Sequence, residues 1–204
     1  MKRVVLALLV ALAVLLPTTP ALAASDVFHT SFKGQFVRAL FDRIDASGCI
    51  QTFVDVFAID RTDKIDGPPA VTSEAVVFID VVDQCASARL VSAFGSAIPD
   101  DFVMQSLDSA TLDTSIEMFD FVSGTTFTVD VSVTWTGVGD PSRTQDHSQT
   151  HSPGFKLISR SDGTFRDSTA GGTVSDGTTN FTPNPAFAAS LAEVKSGEVT
   201  VVKQ

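Results

Sequence analysis

Residues 126–136 alternate apolar and polar side chains without a break, and that period of two confines the segment to extended structure. Phe127, Val129, Val131, Val133 and Trp135 fall on one face, with Thr128, Asp130, Ser132 and Thr134 on the other. A strand built this way packs one side into a core and wets the other, as antiparallel sheets do. The β-branched residues on both faces suit the pleat. Helical periodicity is scarce by comparison; residues 186–195 are the one candidate for a short helix.

The segment upstream supplies a partner. Taking Ser123-Gly124 as a two-residue turn sets Met118 against Val129, Ile116 against Val131 and Leu112 against Trp135. Apolar then meets apolar throughout, and a one-residue slip would send every apolar side chain to the wrong face. Trp135 is on this reading a core residue.

The two cysteines suggest a second hairpin. Cys49 opens the run 50–59, Cys85 closes the run 73–84, and Gly67-Pro68-Pro69 lies in the loop between. Centring the hairpin near Gly67 sets Cys49 opposite Cys85, Phe53 opposite Val81 and Phe57 opposite Val77. Two cysteines in an exported chain predict one disulfide, Cys49–Cys85. There is no CxxC, and no His adjoins either cysteine, which argues against a thiol nucleophile or a thiolate metal site.

Further strands are expected at 32–44, 88–96, 102–107, 155–160, 163–167 and 198–202. Asp162-Gly163 and Asp176-Gly177 read as tight turns. The fold class that follows is all-β, an antiparallel two-sheet β-sandwich of consecutive hairpins, with a closed β-barrel as the alternative. Phe41-Asp42 through Val56 is echoed by Phe119-Asp120 through Val131, and Arg89–Ser92 by Lys156–Ser159, so the sandwich could consist of two related halves.

Residues 1–23 carry the marks of a signal peptide: Lys2 and Arg3, an apolar run over 4–16, and Ala21-Leu22-Ala23. Residues 24–204 then form a single β-sandwich domain. Export to the periplasm or the extracellular medium is expected, with no membrane insertion after signal cleavage. Of the 14 Lys and Arg in the chain, Lys2 and Arg3 belong to the leader, leaving 12 against 24 acids and a net charge of −12. Such a charge repels phosphate backbones, so nucleic acid is not an expected partner. With 16 Phe, one Trp and no Tyr, the chain is poor in the residues that stack on sugars, and Phe is expected to fill the core.

Three segments could carry chemistry. In Asp146-His147-Ser148-Gln149-Thr150-His151, His147 and His151 are candidate metal ligands if the backbone curls. Gly137, Gly139, Pro141 and Pro153 mark residues 139–154 as an irregular loop, which allows that curl. Extended, the same four residues rise ~13 Å, too far for one ion to touch both imidazoles. Asp60, Asp63 and Asp66 on a loop could gather Ca²⁺, although their spacing of three is not that of an EF-hand. Asn180-Phe181-Thr182 is a glycosylation sequon.

No nucleophile elbow, HExxH, P-loop or dinucleotide fingerprint occurs, so no catalytic residue and no cofactor are assigned. The reading is a secreted, non-catalytic binding or interaction module using loops at one end, its partner an unknown protein or surface polymer. An extracellular hydrolase with a carboxylate- or His-based site is the alternative.

Overall fold

The computed structural model describes residues 27–65 and 67–203; residues 1–23, expected as a signal peptide, and Asp66 lie outside the described residues. The chain forms β1 (Val27–Ile44), β2 (Ile50–Ile65), β3 (Ala70–Asp83), β4 (Ala88–Ala97), β5 (Asp101–Gln105), β6 (Ser109–Asp120), β7 (Thr125–Gly137), β8 (Ser142–Ser152), β9 (Phe155–Ser175) and β10 (Ala188–Lys203). The class is all-β and every ladder between named strands is antiparallel.

Hydrogen-bonded neighbours run β10-β1-β2-β3-β4-β6-β7-β9-β8, with β5 attached to β6. A further pairing of β9 with β10 returns the path to its start. Strand β9 makes this return by changing neighbours along its length. Its first part, from Phe155, is flanked by β8 and β10, and residues 168–175 pair with β7. The sheet thereby bends back on itself and supplies two facing layers.

Between those layers lies the main core, and a second, smaller cluster of Phe36, Ile59 and Val194, with Phe32 and Phe57 packed on it, lies at the opposite parity of β1 and β2. Val37, Ala39 and Phe41 of β1, Val54, Val56 and Ala58 of β2, and Ala75, Val77 and Ile79 of β3 face Leu112, Ile116 and Met118 of β6 and Val129, Val131, Val133 and Trp135 of β7. The inner side chains of β2 and β3 are small and β-branched, which suits close approach of two pleated layers. Trp135 is 0% exposed, as its place in the alternation requires.

Both hairpin registers differ from the sequence expectation. In β6/β7, Met118 faces Phe127, Ile116 faces Val129 and Ala110 faces Trp135, two residues from the expected pairing. The loop has four residues, 121–124, because Asp120 and Thr125 form the last pair. A shift of two preserves the faces, so the same side chains reach the core.

In β2/β3 the shift is one residue. Val54 faces Ile79, Val56 faces Val77 and Phe53 faces Asp80. Val54, Val56 and Ala58, which face the main core, are even positions of β2, and only this parity sets them against the buried odd positions of β3. The disulfide forms between Cys49 and Cys85 (Cα–Cα 5.2 Å), but diagonally, past the last ladder pair Ile50/Asp83. The Gln84 amide donates to the Cys49 carbonyl at 2.7 Å.

Three local expectations are overturned. Residues 155–160 and 163–167 belong to one strand, and Asp162-Gly163 is no turn. A Cβ on Gly163 would stand 2.5 Å from the Glu193 carbonyl oxygen, so this glycine serves the close approach of β10. Residues 188–195, expected as part of a helix, open β10, where pairing on both sides with β1 and β9 overrides helix propensity. Residues 142–152, expected within a loop, form β8, paired along its whole length with β9. The Asp176-Gly177 turn is present, with Gly177 at φ 85° and the Asp176 carboxylate accepting from the amides of Thr178 and Thr179. The echoed segments occupy the β1/β2 and β6/β7 hairpins, whose loops hold Gly48 at φ 76° and Gly124 at φ 72°.

Candidate binding face

Burial alternates along β2, β3, β4 and β6, and the side turned away from the core is where most of the phenylalanine in these strands lies. Phe53 and Phe57 of β2, Phe78 of β3, Phe94 of β4 and Phe119 of β6 all lie on the side opposite in parity to the main-core positions. The expectation that Phe fills the core holds for only part of the phenylalanine. Phe41 and Phe181 belong to the main core, with Phe102 and Phe127 packed on it, and Phe36 to a smaller cluster with Phe32 and Phe57 packed on it, while the main core is otherwise built of Val, Ala, Ile, Leu, Met and Trp.

Register turns these scattered residues into a row. Phe78 is the direct partner of Phe94, and Phe94 the direct partner of Phe119. Cross-strand partners stand close enough for aromatic side chains to touch. Toward β1 the direct partner of Phe78 is Asp55, and Phe57, two residues further along β2, has its ring 6.3 Å from that of buried Phe36. At the other end the Phe119 ring meets Phe121 edge-on, 5.2 Å between centroids and 81° between planes. Phe94, Phe119 and Phe121 are 46%, 43% and 63% exposed, and Val122 is exposed beside them.

Asp120 fixes the tip that presents Phe121 and Val122. Its carboxylate is buried and accepts from the amides of Ser92 and Val122 at 3.0 Å, the Ser123 amide at 3.2 Å and the Ser123 hydroxyl at 2.6 Å. Burial by itself would raise its pKa, but those donors outweigh it and hold the carboxyl at about 2. One ionised side chain thus ties the β6/β7 loop to β4, and the Phe121 amide donates to the Ser92 carbonyl at 2.8 Å.

The charges among these rings are paired. Arg38 grips Asp55 through two hydrogen bonds of 2.9 and 2.6 Å, which raise the pKa of the guanidinium further. Arg89 pairs with Asp80 at 3.0 Å. The outer face of β6-β7-β9 has a different character. Thr111, Thr134 and Gly171 align across it, as do Asp113, Ser132 and Thr173, with no aromatic side chain among them.

His147 and His151 sit on extended β8, opposite Arg160 and Lys156. The strand rises ~13 Å between them, so the curl that shared ligation requires is absent. His151 Nε2 meets the Gln149 amide nitrogen at 2.5 Å, and the third histidine, His29, meets the Thr200 hydroxyl through Nδ1 at 2.9 Å. Among the described residues no group of three or more His, Cys, Asp or Glu is arranged to hold a metal ion. Asp60 and Asp63 lie on β2 rather than on a loop, and Asp63 accepts from Arg61 Nε at 2.7 Å. In the sequon, Asn180 is exposed, whereas Thr182 is buried and donates to the Gly172 carbonyl.

The Phe row escaped sequence reasoning because alternation tells which residues share a face but not which face is inside when both carry apolar side chains. The signal was present in β2, where Phe53, Phe57 and Ile59 alternate with Val54, Val56 and Ala58. No helix among the described residues is long and apolar enough to cross a membrane. The chain matches no protein-family model, no curated protein and no solved structure.

Proposed function

We propose that this chain is an exported, non-catalytic binding module that engages an apolar protein surface through the outer Phe face of β2-β3-β4-β6. The observation that carries the reading is the cross-strand row Phe78–Phe94–Phe119, continued to the exposed Phe121. Contiguous exposed apolar surface of a few hundred Å² on a folded protein marks an interaction site more often than it is neutral decoration. The face is rigid, since its rings stand on paired strands and its tip is held by Asp120, so little ordering entropy opposes binding.

A protein partner fits better than a surface polymer. Sugar rings are bound on flat aromatic platforms, but Trp135 is buried and the Phe119 and Phe121 planes are nearly perpendicular. The signal-like leader 1–23 and the Cys49–Cys85 disulfide both suit an oxidising destination outside the cytoplasm. The face replaces residues 139–154 as the place to look for binding, because β8 is a paired strand.

A photo-crosslinking amino acid at position 121, compared with one at position 134 on the Thr-bearing face, tests this in the producing cell. A polypeptide adduct is expected at 121 and none at 134. No adduct at 121, or equal adducts at both, would sink the proposal.

A further inference from the structure

The binding face, read as above, also carries an inference about its partner: we infer that it packs against the same face of a second copy of this chain, in a two-fold dimer. Four observations converge on that occupant.

The first is electrostatic. A chain of net charge −10 repels its own copy over most of its surface. On the Phe face, however, Arg38 is neutralised by Asp55 and Arg89 by Asp80, and the unpaired acids Glu74 and Glu117 stand at its margins on β3 and β6. The aromatic centre is therefore a place where two identical molecules can meet without bringing like charges together.

The second is size. Three Phe side chains of ~150–250 Å² each, about half exposed, give roughly 300 Å² of apolar centre. The half-buried rings of Phe57 and Phe78, Val122 and a polar rim extend this toward the ~800 Å² per partner of a standard interface. A smaller ligand would leave most of the row uncovered.

The third is shape. The row Phe78–Phe94–Phe119 crosses β3, β4 and β6, two strand spacings of ~4.8 Å, or ~10 Å in all, and Phe121 extends it beyond β6. Two such sheet faces stack ~10 Å apart, the separation at which side chains from opposing sheets interdigitate.

The fourth is closure. The outer face of β6-β7-β9 offers Thr111, Thr134, Ser132 and Thr173 and no second apolar patch. A face that meets itself about a two-fold axis uses up the row Phe78–Phe94–Phe119 in one contact, so the assembly stops at two.

Sedimentation equilibrium of the purified protein tests the dimer. The expected result is a species of twice the chain mass, whose fraction rises with added salt as like-charge repulsion is screened. Phe119→Arg should weaken association at least tenfold, and Thr134→Arg should leave it unchanged. Circular dichroism of Phe119→Arg checks that the sheet is intact, and Phe94→Ser serves in its place if it is not. A protein that stays monomeric across the concentration range, or a dimer indifferent to both Phe substitutions, overturns the inference. A monomer that still gives a position-121 adduct with a different polypeptide removes only the second copy and leaves the binding face standing.

Discussion

The indole nitrogen of Trp135 donates a hydrogen bond of 2.9 Å to the carbonyl oxygen of Arg38, joining β7 to β1 across the core. The same residue of β1 sends its guanidinium outward to Asp55, so one position links the interior to the outer face. Trp135→Phe should keep most of the packing but lose this hydrogen bond, costing about 1 kcal/mol. Trp135→Ala should cost about 3–5 kcal/mol through the cavity it opens. Urea denaturation of the three proteins checks both, and equal stabilities of Trp135→Phe and the parent would deny the bond any role.

Asp120 predicts an acid transition. Its carboxyl is held at about 2, below the ordinary 3.8. Folded-state depression of this kind stabilises the protein above the ordinary value, and the contribution disappears as pH falls from about 4 through about 2. Asp120→Ala, which leaves buried donors unanswered, should cost about 2 kcal/mol at neutral pH. The difference between mutant and parent should narrow on titration to pH 2; a gap independent of pH would contradict the assignment.

The disulfide clamps the two turns at one end of β2 and β3. Cys49 and Cys85 are 36 residues apart, a loop for which chain entropy suggests about 3–4 kcal/mol. Reduction should lower the melting temperature and speed amide exchange first at 45–49 and 84–87. Uniform exchange throughout the sheet on reduction would show instead that the bond stabilises the fold only globally.

Gly163 separates a strand from a turn at the repeated Ser-Asp-Gly-Thr. Gly163→Ala pushes a methyl against the Glu193 carbonyl and should cost about 1–3 kcal/mol, as overpacking does. The substitution Gly171→Ala, where a Cβ meets nothing within 4 Å, should be far milder. Thermal melts of the pair decide the matter, and equal effects would contradict the close approach of β10.

The alternation in 126–136 was enough to read the all-β class, the inner face of β7 and the burial of Trp135. Registers were harder. The β6/β7 loop is two residues longer than its Ser-Gly suggests because Asp120, three residues before Ser123, caps the intervening amides. The β2/β3 register was tied to the cysteines, and a disulfide that closes diagonally does not report which residues face each other. Strand β8 hid completely, since Ser142–Ser152 contains no apolar residue on either face and is held by backbone pairing to β9. The Phe row needed three registers at once, which no single segment contains.

That polar strand has a consequence for how the molecule lives in company. β8 borders the sheet, and an open border is a template on which further strands could grow. Hydroxyls, amides, imidazoles and charges along both its sides keep it hydrated, so a chance-docked strand would bury nothing greasy in return. Runaway fibre growth is discouraged along the rim, and stickiness is left to the aromatic flank, where geometry limits it.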